Sequence, residues 1–293
     1  LLIARLIADP ATLERRLDAM TAALAETSVP VAHAAMLDFC GDVLQLETAG
    51  DDLNALRSAI DTHFEASDAI IARDEFRIPH LFVSDMDSTM IGQECIDELA
   101  DFAGLKDKVA EITERAMQGE LDFESALRER VALLEGLDES AITRCLAERI
   151  RPNDGARVLV ETLKSKGCRT VLVTGGFHHF ADDVAEQIGF ERVVGNRLEV
   201  SDGKLTGGLV GGITDSATKK SVLQEELGKL GEGAVSMAAG DGANDIPMIE
   251  SATYGIAYRA KPKAREAANG WVDRGDLTAV LKLLEIRKEE WVG

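Results

Sequence analysis

Asp85-Met86-Asp87-Ser88-Thr89 follows directly on the apolar run Leu81-Phe82-Val83. Two acids, two residues apart and leaving a strand at its carboxyl end, suit three tasks. One can be a nucleophile for phosphoryl transfer, the other a proton shuttle, and together they can begin a Mg²⁺ site. A turn whose acids are satisfied locally is the alternative that this string alone leaves open. Two more polar strings stand at the ends of short apolar runs: Thr174-Gly175-Gly176-Phe177 and Gly240-Asp241-Gly242-Ala243-Asn244-Asp245. Ligands of an open parallel sheet sit at the carboxyl ends of its strands, so three such strings at one edge favour chemistry over packing.

These strings need a sheet to bring them together. Short apolar runs predict central strands over about 80–85, 169–174, 235–240 and 254–258, alternating with helical patterns. That alternation predicts an α/β architecture: a parallel sheet with helices on both faces. A long helical insertion, about 92–150, separates the first two strands; Phe123, Leu127, Val131 and Leu134 recur there at helical spacing. Gly203, Gly207, Gly208, Gly211 and Gly212 punctuate a β-excursion between about 193 and 213.

Ahead of this part, residues 1–78 read as a small α+β unit. Strands over 1–8, 31–39, 42–48 and from Ala69 onward alternate with helices marked by Leu13, Leu17, Met20, Leu24 and by Leu53, Leu56, Ile60, Phe64. The order βαββαβ predicts a ferredoxin-like domain. Arg77-Ile78-Pro79 marks the junction, which divides the chain into 1–78 and 79–293.

Composition narrows the function. The 293 residues are 45% hydrophobic and 29% charged, enough for a sizeable core. A net charge of −20 argues against nucleic-acid partners, which need a basic face. Small anionic substrates remain compatible, because a local cluster of cations can override the global field. Cys40, Cys95, Cys145 and Cys168 are scattered, which fits a reducing, cytoplasmic setting and neither a disulfide framework nor a zinc site. No apolar run reaches the roughly 18–20 residues of a membrane span. The apolar start, Leu1 to Ile7, is too short and lacks the flanks of a signal peptide. His33, His63 and the pair His178-His179 read as ordinary side chains, and Asp182 and Asp183 as a solvated helix face.

In order, Asp85-x-Asp87-x-Thr89, Thr174, Lys219 and Gly240-Asp241-Gly242-x-Asn244-Asp245 resemble the four motifs of the haloacid dehalogenase superfamily of phosphatases. The resemblance covers about 80–285. It implies a HAD-like Rossmannoid sheet with the insertion as a helical cap. The stretches Asp85 to Glu98 and Phe123 to Val131 resemble more narrowly the phosphoserine phosphatase branch. Thr174 departs from the Ser usual there; it keeps the hydroxyl and adds a methyl.

What the resemblance implies can be stated residue by residue. Asp85 is the nucleophile that forms an aspartyl-phosphate. Asp87 protonates the leaving hydroxyl and then deprotonates water. Lys219 holds the nucleophile and the phosphoryl oxygens, which Thr174 and the Gly175 N–H also bind. Asp85, Asp241 and the Asp87 carbonyl hold Mg²⁺. A cation is needed, since two carboxylates ~4 Å apart repel by about 4 kcal/mol at an effective dielectric of 20. Asn244 contacts the phosphate side of the substrate or orients Asp245, whose own role as metal ligand or support stays open. In the cap, Glu94 takes the substrate ammonium, Arg130 its carboxylate, and Phe123 closes over it.

The reaction so implied is hydrolysis of phosphoserine, the last step of serine biosynthesis. The alternatives are another small-phosphomonoester phosphatase, a phosphotransferase, or an amino-acid-binding regulatory protein. The 1–78 unit weakly resembles ACT-type modules, which leaves serine sensing or mere homodimer formation as its role.

Overall fold

The computed structural model describes residues 1–117 and 120–293. Residues 1–72 form β1 (Leu2–Ile7), α1 (Leu13–Leu24), β2 (Val31–Met36), β3 (Val43–Thr48), α2 (Leu53–Phe64) and β4 (Asp68–Ala72). The strands pair antiparallel in the order β2-β3-β1-β4. β2 stops at Met36, short of the expected 39, because the chain turns at Leu37, whose carbonyl accepts from the Cys40 N–H at 3.4 Å. Met20 and Leu24 of α1 and Leu56, Ile60 and Phe64 of α2 cover one face, against Leu6, Leu44 and Leu46. The Asp52 carboxylate caps α2 by accepting from the Ala55 N–H at 3.0 Å.

The larger part begins with β5 (Leu81–Ser84). The cap follows as α3 (Cys95–Phe102), α4 (Lys106–Met117), α5 (Phe123–Ala132) and α6 (Ser140–Arg149). The chain then runs through α7 (Ala156–Ser165), β6 (Arg169–Phe177), α8 (His178–Ile188), β7 (Arg192–Ser201) and β8 (Lys204–Val210). It ends with α9 (Ser216–Leu230), β9 (Ser236–Gly240), α10 (Ile246–Ser251), β10 (Tyr254–Tyr258), α11 (Pro262–Ala267), β11 (Gly270–Val272) and α12 (Ala279–Leu283).

Strands β11-β10-β9-β5-β6-β7 are parallel neighbours in that order. Every residue of β5, β9 and β10 is buried, as in strands covered on both faces. Alternation along β5 sorts the two cores: Phe82 packs with the α7 and α8 residues Leu159, Leu163, Phe180 and Val184. Leu81 and Val83 pack on the other face with Val222, Leu223 and Met248 of α9 and α10. The chain leaves β5 for β6 on one side and returns to β9 on the other. The gap between β5 and β9 is therefore the topological switch point, where loops diverge and leave room for a ligand.

One element was not anticipated. β11 pairs antiparallel with β4, so both parts of the chain share one eleven-stranded sheet. Trp271 of β11 is fully buried there, its indole N–H donating to Ser67 Oγ at 3.1 Å. Asp68 also crosses the junction, accepting from the N–H groups of Arg274 and Gly275 at 2.9 and 3.0 Å. Among the described residues, no helix is long and apolar enough to cross a membrane.

Candidate active site

Asp85 is the first residue beyond β5, and its N–H still donates to Ala239 on β9 at 2.9 Å. The chain then turns around one acceptor. The buried Met86 carbonyl takes the N–H groups of Thr89, Met90 and Ile91 at 3.3, 2.9 and 3.1 Å. Ser88 at the tip has φ +56°, a left-handed conformation uncommon outside glycine. The turn aims Asp87 at the start of α3, where its Oδ1 accepts from the Cys95 N–H at 3.3 Å. A helix N-terminus favours such an anion. The Ser88 hydroxyl donates to Glu94 Oε1 at 2.7 Å, which ties the turn to the cap.

Lys219 comes from α9, which starts at an Asp215 cap accepting from the Thr218 N–H at 2.8 Å. Its side chain is 1% exposed, and Nζ lies 2.7 Å from Asp85 Oδ1 and 2.7 Å from Asp245 Oδ1. The second oxygen of Asp245 accepts from the N–H groups of Asp241 and Gly242 at 3.1 and 3.0 Å. Asp245 thus pins the loop that carries Asp241. Gly240 makes room for it: a Cβ there would lie 2.4 Å from the Asp245 Cγ. Thr89 donates to Asp241 Oδ1 at 3.4 Å, and Lys261 Nζ stands 3.6 Å from Oδ2.

One oxygen from each of Asp85, Asp241 and Asp245 falls within 4.8 Å of the other two. Burial pushes Asp85 well above the usual carboxylate range; the Asp245 charge adds to this and Lys219 opposes it. Asp241 is raised by burial against the pull of Lys261. Burial, then the nearby Glu94 charge, lifts Asp87 to about 7. Burial alone would lower the Lys219 ammonium, yet the charges of Asp85 and Asp245 outweigh it and hold the group above its ordinary value. The acids outnumber the local cations, which is the electrostatic signature of a site for a hard divalent cation.

A cavity of about 230 Å³ opens above this floor. Asp85, Asp87 and Asp241 lie at its base, and Thr174, Gly175 and Asn244 line it as well. The cap contributes Glu94, Phe123, Leu127 and Arg130. Arg130 faces Asp97, Glu94 and Asp87, whose charges offset part of the lowering that burial imposes on its guanidinium. The sequence-predicted residues therefore meet at one place, with Lys219 and Asp245 beneath the cavity rather than on its wall. Thr174 keeps its hydroxyl on the Gly176 N–H at 2.9 Å. Its methyl points at Gly195, where a Cβ would lie 3.1 Å away, so the added bulk is accommodated.

Two residues escaped the sequence reading. Lys261 lines the cavity three residues beyond β10, set off from the strand by Arg259 and Ala260. Buried Asn196 donates to the Gly175 carbonyl at 2.7 Å and accepts from the Thr214 N–H at 2.8 Å. It joins the end of β6 to the loop ahead of α9, and no local signal marks it.

Residues 82–250, more than half the chain, match the model of the haloacid dehalogenase-like hydrolases. The chain is 42% identical over 252 residues to a phosphoserine phosphatase of Streptomyces coelicolor, across 84% of this chain and 61% of that protein. The chain thus spans about three fifths of that relative's length. A HAD family hydrolase of Salmonella enterica superposes with a TM-score of 0.82 at 26% identity, over 97% of this chain and 98% of the other. A phospho-aspartyl intermediate analogue of phosphoserine phosphatase matches with a TM-score of 0.63 at 38% identity, over 70% and 99%.

Proposed function

Because the chain belongs to the haloacid dehalogenase-like hydrolase family, we propose that it hydrolyses O-phospho-L-serine to L-serine and inorganic phosphate. One observation carries the reading: a buried Asp85, held by Lys219 at 2.7 Å, underlies a cavity whose roof offers both an acid, Glu94, and a base, Arg130. That pair suits a substrate bearing an ammonium and a carboxylate beside its phosphate.

Asp85 attacks phosphorus, the bond from phosphorus to the serine oxygen breaks, and Asp87 supplies the proton that oxygen takes up. Its ordinary range would leave Asp87 ionised near neutrality, whereas a value of about 7 leaves a proton to give. Asp87 next accepts a proton from water as the water oxygen attacks the aspartyl-phosphate, which returns Asp85 and releases phosphate. Lys219 neutralises part of the charge on Asp85 throughout. Thr174 and the Gly175 N–H hold phosphate oxygens, and Asn244 lines the same side.

The clustered acids fit a divalent cation, since burial leaves Asp85 and Asp241 short of positive charge. Asp85, Asp241 and the Asp87 carbonyl would hold Mg²⁺. Asp245 has both oxygens engaged by donors and serves as their support. When bound, Mg²⁺ supplies charge neutralisation for the phosphoryl oxygens.

A substrate panel tests the reading: L- and D-phosphoserine, phosphothreonine and a sugar phosphate, each with chelator and with Mg²⁺. Preferred release from L-phosphoserine, lost with chelator and restored by Mg²⁺, is expected. Equal rates across the panel would sink the assignment of Glu94 and Arg130. Full activity in Asp85→Asn would sink the nucleophile.

A further inference from the structure

The glycine-punctuated hairpin β7–β8 meets the site through Asn196, and at its far end it is fastened to the cap. The Gly136 N–H donates to the Leu205 carbonyl at 2.8 Å, the Leu205 N–H to Leu137 at 2.9 Å, and the Glu139 N–H to Gly203 at 2.9 Å. Residues 136–139, between α5 and α6, therefore lie along the start of β8. Buried Leu198 and Leu205 of the hairpin belong to the same core as Val131 and Leu134 at the end of α5.

The hairpin is also irregular where α5 meets it. Leu198 pairs with Leu209 and Val200 with Leu205, so two residues of β7 span four of β8. The surplus is a bulge over Thr206, Gly207 and Gly208, and bulges of this kind re-aim neighbouring structure. Gly207 has φ +81°. A Cβ on it would meet Glu135 Cβ at 3.2 Å and the Ala132 Cα and carbonyl oxygen at 3.3 Å. The last turn of α5 thus rests on the bare backbone of Gly207. Arg130 lies two residues before Ala132 on that helix, and Phe123 begins it.

We infer that Gly207 is a positioning residue: the β8 bulge sets the seat of α5, and thereby places Arg130 over the cavity to select substrates that carry a carboxylate. The inference rests on the phosphoserine reading. It assigns specificity to an element on the outer edge of the sheet, away from the reacting atoms.

The test compares phosphoserine with O-phosphoethanolamine, which keeps the ammonium and phosphate but lacks the carboxylate. Gly207→Ala strains the left-handed backbone and crowds Ala132. Gly136→Ala strains the cap side of the same fastening, since Gly136 has φ +80° with open space around it. Gly136→Asn tolerates that conformation and is the rescue. The KM for phosphoserine should rise about tenfold in both alanine variants, as a slight misplacement of a binding group does. The kcat/KM for phosphoethanolamine should stay within about twofold, and Asn at 136 should restore the preference. Hydrogen exchange should quicken at the α5 amides and not at those of α9. A parallel fall for both substrates, or an unchanged preference with unchanged α5 exchange, overturns the inference. A wild-type enzyme indifferent between the two esters would overturn instead the assignment of Arg130, and α5 exchange in the variants would still decide whether the bulge seats the helix.

Discussion

The Lys219 ammonium stands 2.7 Å from an oxygen of Asp85, with the two side chains 1% and 7% exposed. At that depth the pair is held by its surroundings rather than by solvent. α9 delivers the lysine from one side of the sheet, β5 delivers the acid at its end, and Asp245 adds a second carboxylate on the same nitrogen. The ion pair is thus both a structural joint and the base of the cavity.

Lys219→Met should therefore cost stability as well as turnover. Removing one partner of a buried ion pair leaves uncompensated charge, which typically costs about 3–5 kcal/mol. The cost should shrink as pH falls, because Asp85 already sits well above the usual range and protonates readily. Urea denaturation of the metal-free protein at pH 8 and pH 5 checks this: a large loss at pH 8 and a smaller one at pH 5 are expected. Equal losses at both would place the defect in packing.

The raised Asp87 makes a kinetic prediction with a definite sign. Asp87 must carry a proton to protonate the leaving oxygen, so kcat/KM should fall as pH rises through about 7. Burial is the main cause of the elevation and the Glu94 charge the next. Glu94→Gln removes that second cause, so the falling limb should move to lower pH. An identical profile in wild type and variant would uncouple the two acids.

Much of this site was legible because its residue types are costly to bury without purpose. Asp85 and Asp241 stand at the ends of apolar runs, where residue type and position already mark them, whereas Lys219 stands out from the neighbouring Lys220 only through the resemblance to the family's motifs. What stayed hidden depends on contacts across the chain. β11 is three residues long, too short for periodicity, and is a strand because β10 and β4 lie on either side of it. Asn196 looks like any polar residue of an edge hairpin until Gly175 and Thr214 arrive at its amide. β6 runs past the expected 174 to Phe177, because Gly175 and Gly176 continue the strand in extended backbone.

Acid should loosen the same helix that carries Lys219. Glu226 of α9 is 3% exposed. Burial would raise its carboxyl, but hydrogen bonds from Lys229, Arg192 and Arg169 outweigh that and bring it down to about 2. A depressed folded-state value gives stability that is present above the unfolded value, roughly 4.3, and is lost as pH falls toward 2. Partial exposure of Arg192 and Lys229 reduces the effect to about 2 kcal/mol. Glu226→Gln should remove that part of the acid sensitivity between about pH 4.5 and 2 while lowering stability at pH 7. Urea midpoints across pH, compared between the two proteins, measure it. Parallel curves would assign the acid loss to other carboxylates.

Two glycines should respond to alanine with opposite signs, and the reason is where a single carbon would go. At Gly240 it would lie 2.4 and 2.5 Å from Asp245 Cγ and Cβ. Asp245 is fully buried and bonded through both oxygens, so it has nowhere to yield without releasing Lys219 or the Asp241 loop. Gly240→Ala should lose about 1–3 kcal/mol, as overpacked cores do, and nearly all activity. At Gly228 in α9 a Cβ meets nothing within 4 Å, and the position is exposed. Alanine there gains helix propensity and restricts the unfolded chain, so Gly228→Ala should add about 0.5–1 kcal/mol and leave kcat and KM unchanged. Thermal melts and steady-state kinetics on the two variants suffice. If Gly240→Ala keeps wild-type activity, Asp245 does not hold the Asp241 loop in the way its hydrogen bonds imply.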